Sequence, residues 1–285
     1  MTSMADPLEI FGYKVLARLG EGAASTIYAV QEPKTGQVWA LKHVLKNTDK
    51  DQRFLDQVEQ EHEIGSKFRH PNIRKMERIH RRRKRFRTVE VALLMELVDA
   101  PSLDVNSPDS VLSCARVFTQ IAEGISHMHD MGYVHADMKP TNVLVNDGMV
   151  KVIDLGQTCP IGTVKPRIQG TPGYIAPEQA HRRKITPETD IYNFGATMYW
   201  VLIREVIPTA LPPRGTQGSL NSGAIETDRI PPPKPPQEIN PHIPEALSDL
   251  VLDCVRVPRG ARPESMEFVA SRLRTMCNEL AASYE

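Results

Sequence analysis

Three clusters in this 285-residue chain carry residue types suited to chemistry on phosphates. Gly20-Glu21-Gly22-Ala23-Ala24-Ser25-Thr26-Ile27 lies between two strand-like stretches. Glycines in such a turn let backbone N–H groups approach phosphate oxygens without side-chain obstruction. The same two glycines also read as a plain hairpin. No Gly-Lys-Ser/Thr follows and a strand, not a helix, comes next, so the turn is not a P-loop. Trp39-Ala40-Leu41-Lys42 sets a lysine among apolar neighbours, where a buried charge needs a partner. Glu61 is a candidate, although an isolated strand lysine also reads as facing solvent. The densest cluster is His135-Ala136-Asp137-Met138-Lys139-Pro140-Thr141-Asn142, followed by Val150-Lys151-Val152-Ile153-Asp154-Leu155-Gly156.

Together these residues resemble a protein kinase catalytic core, in which H-R-D-x-K-P-x-N precedes D-F-G by about a dozen residues. Two positions depart, Ala136 and Leu155. Further on, Gly170-Thr171-Pro172-Gly173-Tyr174-Ile175-Ala176-Pro177-Glu178 resembles the segment ending in A-P-E, and Asp190-Ile191-Tyr192-Asn193-Phe194-Gly195 the start of the central helix of the large lobe. Arg262 stands where kinases place the partner of the A-P-E glutamate. In style the chain is most similar to the eukaryotic-type serine/threonine kinases of bacteria, over roughly residues 12 to 276. The resemblance implies an α+β, two-lobed protein-kinase-like fold, with a small antiparallel β lobe carrying one helix and a larger mostly helical lobe. Its implied boundaries are a kinase domain at 12–278, a small lobe at about 12–97, a hinge at about 96–101 and a large lobe at about 102–278. Residues 1–11 and 279–285 are expected to be short terminal extensions, without a sensor domain.

Roles follow from the resemblance residue by residue. Asp137 is expected to orient and deprotonate the attacking hydroxyl, and Lys139 to neutralise charge on the transferring phosphoryl, in the Ser/Thr-specific pattern. Asn142 and Asp154 would ligate Mg²⁺, or Mn²⁺ in its place, bridging the phosphates of ATP. Lys42 would hold the α- and β-phosphates while paired to Glu61. The choice of Glu61 over Glu63 rests on register, nine residues before His70. Leu19, Gly20, Glu21 and Gly22 would form the nucleotide loop. Met95 falls at the gatekeeper position, with the backbone of Glu96 and Val98 as adenine-bonding edges; Ile27, Ala40 and Leu144 would sandwich the ring. His135, Leu155, Gly156, Thr171, Glu178, Asp190 and Arg262 are the expected structural frame.

Ala136 replaces an arginine that many kinases use to hold a phosphorylated activation loop. The enzyme is therefore expected not to require phosphorylation there, although Thr158, Thr163 and Thr171 are candidate acceptors. Ser25 for a third glycine and Leu155 for phenylalanine read as harmless. Two other classes compete: a pseudokinase scaffold, which the presence of Lys42, Asp137, Asn142 and Asp154 opposes, and a small-molecule phosphotransferase, which Glu178 and Arg262 oppose.

The elements that must position these residues follow from patterning. Residues 13–19, 26–31 and 38–44 alternate in the manner of three antiparallel strands. Residues 51–69 have helical spacing ending before His70-Pro71, and two strands are expected at 74–80 and 88–97. Helices are expected at 111–131, 188–203, 244–256 and from 265 onwards. Ten prolines in residues 208–244 predict extended conformations without a regular helix.

Hydrophobic residues make up 40% and charged residues 25%, ordinary values for a globular protein, which excludes disorder over the whole length. No run reaches the ~20 apolar residues of a membrane helix, and no secretory leader is visible. Cys114, Cys159, Cys254 and Cys277 are too dispersed for a zinc site or a disulfide framework, so free thiols in a reducing cytoplasm are expected. The 35 basic and 35 acidic residues cancel, excluding a globally basic nucleic-acid binder. Residues 74–87 nevertheless hold nine basic residues against Glu77, a local net of 9 − 1 = +8, so the remainder carries 26 − 34 = −8. That run is a candidate site for an acidic partner, nucleic acid or an anionic surface; a solvated hairpin tip is the alternative.

Overall fold

Alternating apolar residues in the first third of the chain form one six-stranded antiparallel sheet, β1 (Glu9–Ile10), β2 (Tyr13–Glu21), β3 (Thr26–Gln31), β4 (Val38–Leu45), β5 (Met76–Lys84) and β6 (Arg87–Met95), in the order β1-β2-β3-β4-β6-β5. The computed structural model describes residues 6–22, 24–211 and 226–282. Ala23, in the glycine-containing turn, lies outside them. The sheet belongs to the first of two units, Met1–Arg69 with Arg74–Asp99; the second comprises His70–Ile73 and Ala100–Glu285.

Period-two alternation sorts the side chains of this sheet. Tyr28, Val30, Leu41, Ala92 and Leu94 form one apolar face, covered by Ile10 and Tyr13. Residues 9–11 are thus more than an extension: Glu9–Ile10 pairs with Tyr13–Lys14, and Ile10 is buried in that core. The opposite register brings Ile27 across from Lys42, and Ala40 across from Met95. Helix α1 (Gln52–Gly65) follows β4 and buries Leu55, Val58, Glu61 and Ile64, a spacing that lines one helical face. It stops four residues before the predicted end, because the amides of Lys67 and Phe68 turn back to the carbonyls of Ile64 and Gly65.

The basic run was expected mostly between strands, but it lies within them. β5 and β6 pair up to Lys84 opposite Arg87, leaving Arg85-Phe86 as a two-residue turn. Ion pairs of Arg81 with Glu59 at 2.7 Å and of Arg82 with Glu90 at 3.0 Å relieve the repulsion that would otherwise oppose extension.

The second unit is mainly helical. In chain order it contains α2 (Val111–Asp130), β7 (Tyr133–Val134), β8 (Val143–Asn146), β9 (Met149–Val152), β10 (Cys159–Pro160), α3 (Pro177–Ala180), α4 (Pro187–Ile203), α5 (Pro236–Ile239), α6 (Glu245–Cys254) and α7 (Met266–Ala282). Ser110 caps α2 by accepting from the Ser113 amide at 3.1 Å. α4 is buried nearly all round, as a helix through the middle of a core must be, and its Phe194 meets Phe118 of α2 edge to face at 5.2 Å. Gly195 permits the close approach of α6, since a Cβ there would stand 2.5 Å from Cys254 Cβ. Within the proline-rich region, Pro236 begins the single turn of α5, contrary to the expectation of no helix; its ring suits a first-turn position that lacks an intrahelical amide partner. Residues 212–225 of that region lie outside the described residues. Among those described, no helix is long and apolar enough to cross a membrane, and all four cysteines are free thiols.

Candidate active site

In the sheet unit, Lys42 on β4 has an apolar cross-strand neighbour, Leu93, and its charge is met from α1: Nζ stands 2.7 Å from Glu61 Oε2. Both side chains are largely withdrawn from water, so each compensates the other's desolvation. Glu63, two residues on, is exposed. Met95 ends β6 fully packed, and the Glu96 amide that follows donates to the Lys75 carbonyl. Leu19 and Glu21 are exposed at the end of β2.

In the second unit, the loop after β7 gathers the densest cluster. Lys139 Nζ lies 3.0 Å from Asp137 Oδ2 and donates to Thr171 Oγ1 at 3.1 Å, while the Thr171 hydroxyl donates to Asp137 Oδ1 at 3.1 Å. Both carboxylate oxygens are thus engaged by side chains that fix the carboxylate plane. Asn142 Nδ2 donates to the Asp137 carbonyl at 2.8 Å, which leaves the amide oxygen of Asn142 for another ligand. Asp154 is exposed at the end of the β8–β9 hairpin, in a left-handed conformation with φ 61° that a non-glycine residue adopts only when its surroundings enforce it. Leu144 on β8 pairs with Lys151 and bridges Ser102.

The loop is held from behind. Asp190, at the start of α4 and wholly buried, accepts the His135 amide through Oδ2 and the Ala136 amide through Oδ1, each at 2.8 Å, and His129 Nε2 lies 2.9 Å from Oδ2. His135 Nδ1 accepts the Asp137 amide at 3.2 Å, so Nε2 carries the proton and faces the Ile153 carbonyl at 3.4 Å. One imidazole therefore ties the loop of Asp137 to the strand leading to Asp154.

Glu178 and Arg262, 84 residues apart, form a two-point fork, with Nη1 to Oε1 at 2.8 Å and Nη2 to Oε2 at 3.0 Å. Arg262 also donates to the carbonyls of Arg256, Val257 and Glu188 and stacks over Tyr192, so the buried guanidinium is saturated.

A family model described as a protein kinase domain matches residues 13–273. The chain belongs to the protein kinase domain family. It is 30% identical over 200 residues to an Aurora kinase of Candida glabrata, covering 69% of this chain and 55% of that protein. It is 33% identical to calcium/calmodulin-dependent protein kinase type IV of Rattus norvegicus, over 70% of this chain and 42% of the relative. A third similar protein is the serine/threonine-protein kinase pkn3 of Myxococcus xanthus, 24% identical over 94% of this chain and 50% of the relative. The kinase domain thus spans about half the length of the curated relatives it matches.

Two frame residues carry no motif signature. Gln179 of the kinase domain donates to the Ala136 carbonyl at 2.7 Å and accepts from the Ala176 amide and from Asn193, linking the loop of Asp137 to the A-P-E segment and α4. Asn72 donates to Gln120 and to the Val150 carbonyl, fixing the His70–Ile73 segment on the second unit. The sequence signal for Gln179 was an amide placed directly after the A-P-E glutamate.

Ala136 lies in an apolar cluster with Val134, Cys159 and Ile185. Burial pushes the Cys159 thiol up, so it packs as a neutral group. Main-chain bonds add to this anchorage: β10 pairs with β7, Gly162 N donates to Ile185 O at 2.7 Å and Ile185 N to Thr163 O at 2.8 Å. Of the three candidate acceptors, Thr158 is buried, whereas Thr163 and Thr171 are half-buried.

Proposed function

We propose that the protein is an ATP-dependent serine/threonine protein kinase whose activation segment needs no phosphate to hold it. The observation that carries the reading is the Asp137–Lys139–Thr171 arrangement, in which a carboxylate is oriented through both oxygens beside a lysine that can meet phosphoryl charge. Asp137 would accept the proton of a substrate Ser or Thr hydroxyl while holding its oxygen in line for attack, and Lys139 would offset the charge on the transferring group. Lys42, kept in place by Glu61, would bind nucleotide phosphates, and the turn beyond Gly20, where the Gly22 amide donates to the Ser25 carbonyl at 2.7 Å, would let them approach the backbone.

The oxygen donors of Asn142 and Asp154 fit a hard cation such as Mg²⁺. When bound, such an ion neutralises phosphate charge.

Independence from activation-segment phosphorylation is supported by the cluster around Ala136, where apolar packing and main-chain pairing occupy the place of an arginine–phosphate latch. A cytoplasmic setting is supported by four thiols, none of them in a disulfide. Transfer of labelled γ-phosphate from ATP to a mixed protein substrate, with the modified residues mapped by mass spectrometry, tests the proposal. Asp137→Asn should lower turnover by roughly 10²–10⁴-fold without loss of fold; undiminished transfer in that variant would overturn it.

A further inference from the structure

The tip of the β5–β6 hairpin carries features that phosphate transfer does not use. Phe86, the second residue of the two-residue turn, is 100% exposed. Arg85, the first, sits at φ 57°, where hairpin turns ordinarily place Gly, Asn or Asp. Lys84 faces Arg87 directly across the strands, a repulsive pair. The nearby carboxylates, Glu59 on α1 and Glu90 on β6, are spent on Arg81 and Arg82. Among the described residues, no carboxylate lies within ion-pair distance of Arg83, Lys84, Arg85 or Arg87, all of them exposed.

A strained turn residue, a bare phenyl ring and four uncompensated cations each oppose stability or solubility and gain nothing inside the fold. They suit an external partner that is polyanionic and accepts one apolar ring from a projecting tip. A nucleic-acid stacking platform sets aromatic rings along a groove or sheet face, whereas here a single ring caps a turn. An anionic bilayer supplies both requirements, with phosphate-bearing headgroups for the cations and an apolar boundary beneath them for the ring.

We propose that the hairpin tip, residues 83–87, docks the protein on an anionic phospholipid surface, with the four cations at headgroup level and Phe86 inserted at the apolar boundary. Each cation near such a surface strengthens partitioning about fivefold, so the tip alone gives reversible, salt-sensitive attachment.

The test is sedimentation of the full chain with vesicles of phosphatidylcholine alone or mixed with phosphatidylserine; because it needs no phosphate transfer, its outcome is separate from that of the kinase reading. Binding is expected only with phosphatidylserine and should weaken as salt rises. The combined change Arg83→Ser, Lys84→Ser, Arg85→Ser and Arg87→Ser should lower partitioning by several hundredfold, on the order of fivefold per charge. Phe86→Ser should lower it about fivefold or more while leaving the salt dependence in place. In both variants the melting temperature should hold or rise, since the removed groups contribute nothing to the fold, and basal transfer should be unchanged. Equal sedimentation with the two vesicle types, or undiminished binding by the quadruple variant, would overturn the proposal. So would tip-dependent binding to duplex DNA or single-stranded RNA in a protein that vesicles fail to sediment.

Discussion

Asp190 Oδ1 accepts the Ala136 amide at 2.8 Å and holds that residue at φ 63°, a left-handed conformation which alanine otherwise avoids. The bend it imposes sets the direction in which the chain enters Asp137. In Asp190→Asn one oxygen becomes an NH₂ group facing a backbone donor. The expected result is a loss of stability on the order of 2–3 kcal/mol and at least a tenfold fall in kcat, with little change in KM for ATP. Urea denaturation and steady-state kinetics measure the two effects.

Phosphatase treatment separates a packed activation segment from a latched one. With Ala136 buried against Val134, Cys159 and Ile185, fully dephosphorylated protein should keep more than about a tenth of its activity, since no phosphate–arginine pairing is lost. Ala136→Arg should destabilise the protein by about 3 kcal/mol rather than confer phosphate dependence, because it buries an unpaired charge. Intact mass, transfer assays and thermal melts read these outcomes.

Arg262 makes five donor contacts from a side chain that is 0% exposed. Lysine cannot reproduce the fork, and it leaves several carbonyls without a donor. Arg262→Lys is expected to cost about 3–5 kcal/mol, the range for breaking a buried pair. A double-mutant cycle with Glu178→Gln should show strong coupling; additive effects would mean that the fork contributes little.

Alkaline pH should unfold the kinase domain through its buried acids. Burial pushes the Cys114 thiol up to about 12 from 9.0, and also raises Cys254 and Tyr192. Below the unfolded-state values both states bind the proton and stability is unaffected by pH. Above about pH 9 only the unfolded thiols ionise, so stability falls by about 1.4 kcal/mol per pH unit for each such group until the folded value is reached. Denaturation midpoints from pH 8 to 11 should show this fall. At pH 8 a thiol reagent should modify Cys277, the one cysteine that is not fully buried, ahead of the other three.

Elements with a strong local period are readable in the sequence. Strands at Thr26–Gln31 and Val38–Leu45, and helices at Val111–Asp130 and Pro187–Ile203, lie within two residues of their predicted limits. Limits set by distant partners were not readable. The strands β5 and β6 run to Lys84 and Arg87 because Glu59 and Glu90 neutralise arginines that looked like a charged loop. Ile10 looked like part of a tail until its pairing beside Tyr13 placed it in the core.

By itself the sequence determined the family and the residue types available for chemistry, because Asp137, Lys139, Asn142 and Asp154 stand at a spacing set by one short loop and one hairpin. Register also nominated Glu61 as the partner of Lys42, and the ion pair forms there. Only the tertiary structure decided how Asp190 and Gln179 hold the Ala136 backbone, that Ala136 packs in an apolar cluster, and that four cations and Phe86 share one exposed tip. The physical reason is range. Periodicity and turn chemistry act over a few residues, whereas a buried polar group can be satisfied by any donor the fold brings near, and a surface charge is neutralised or left bare by neighbours that the chain order does not reveal.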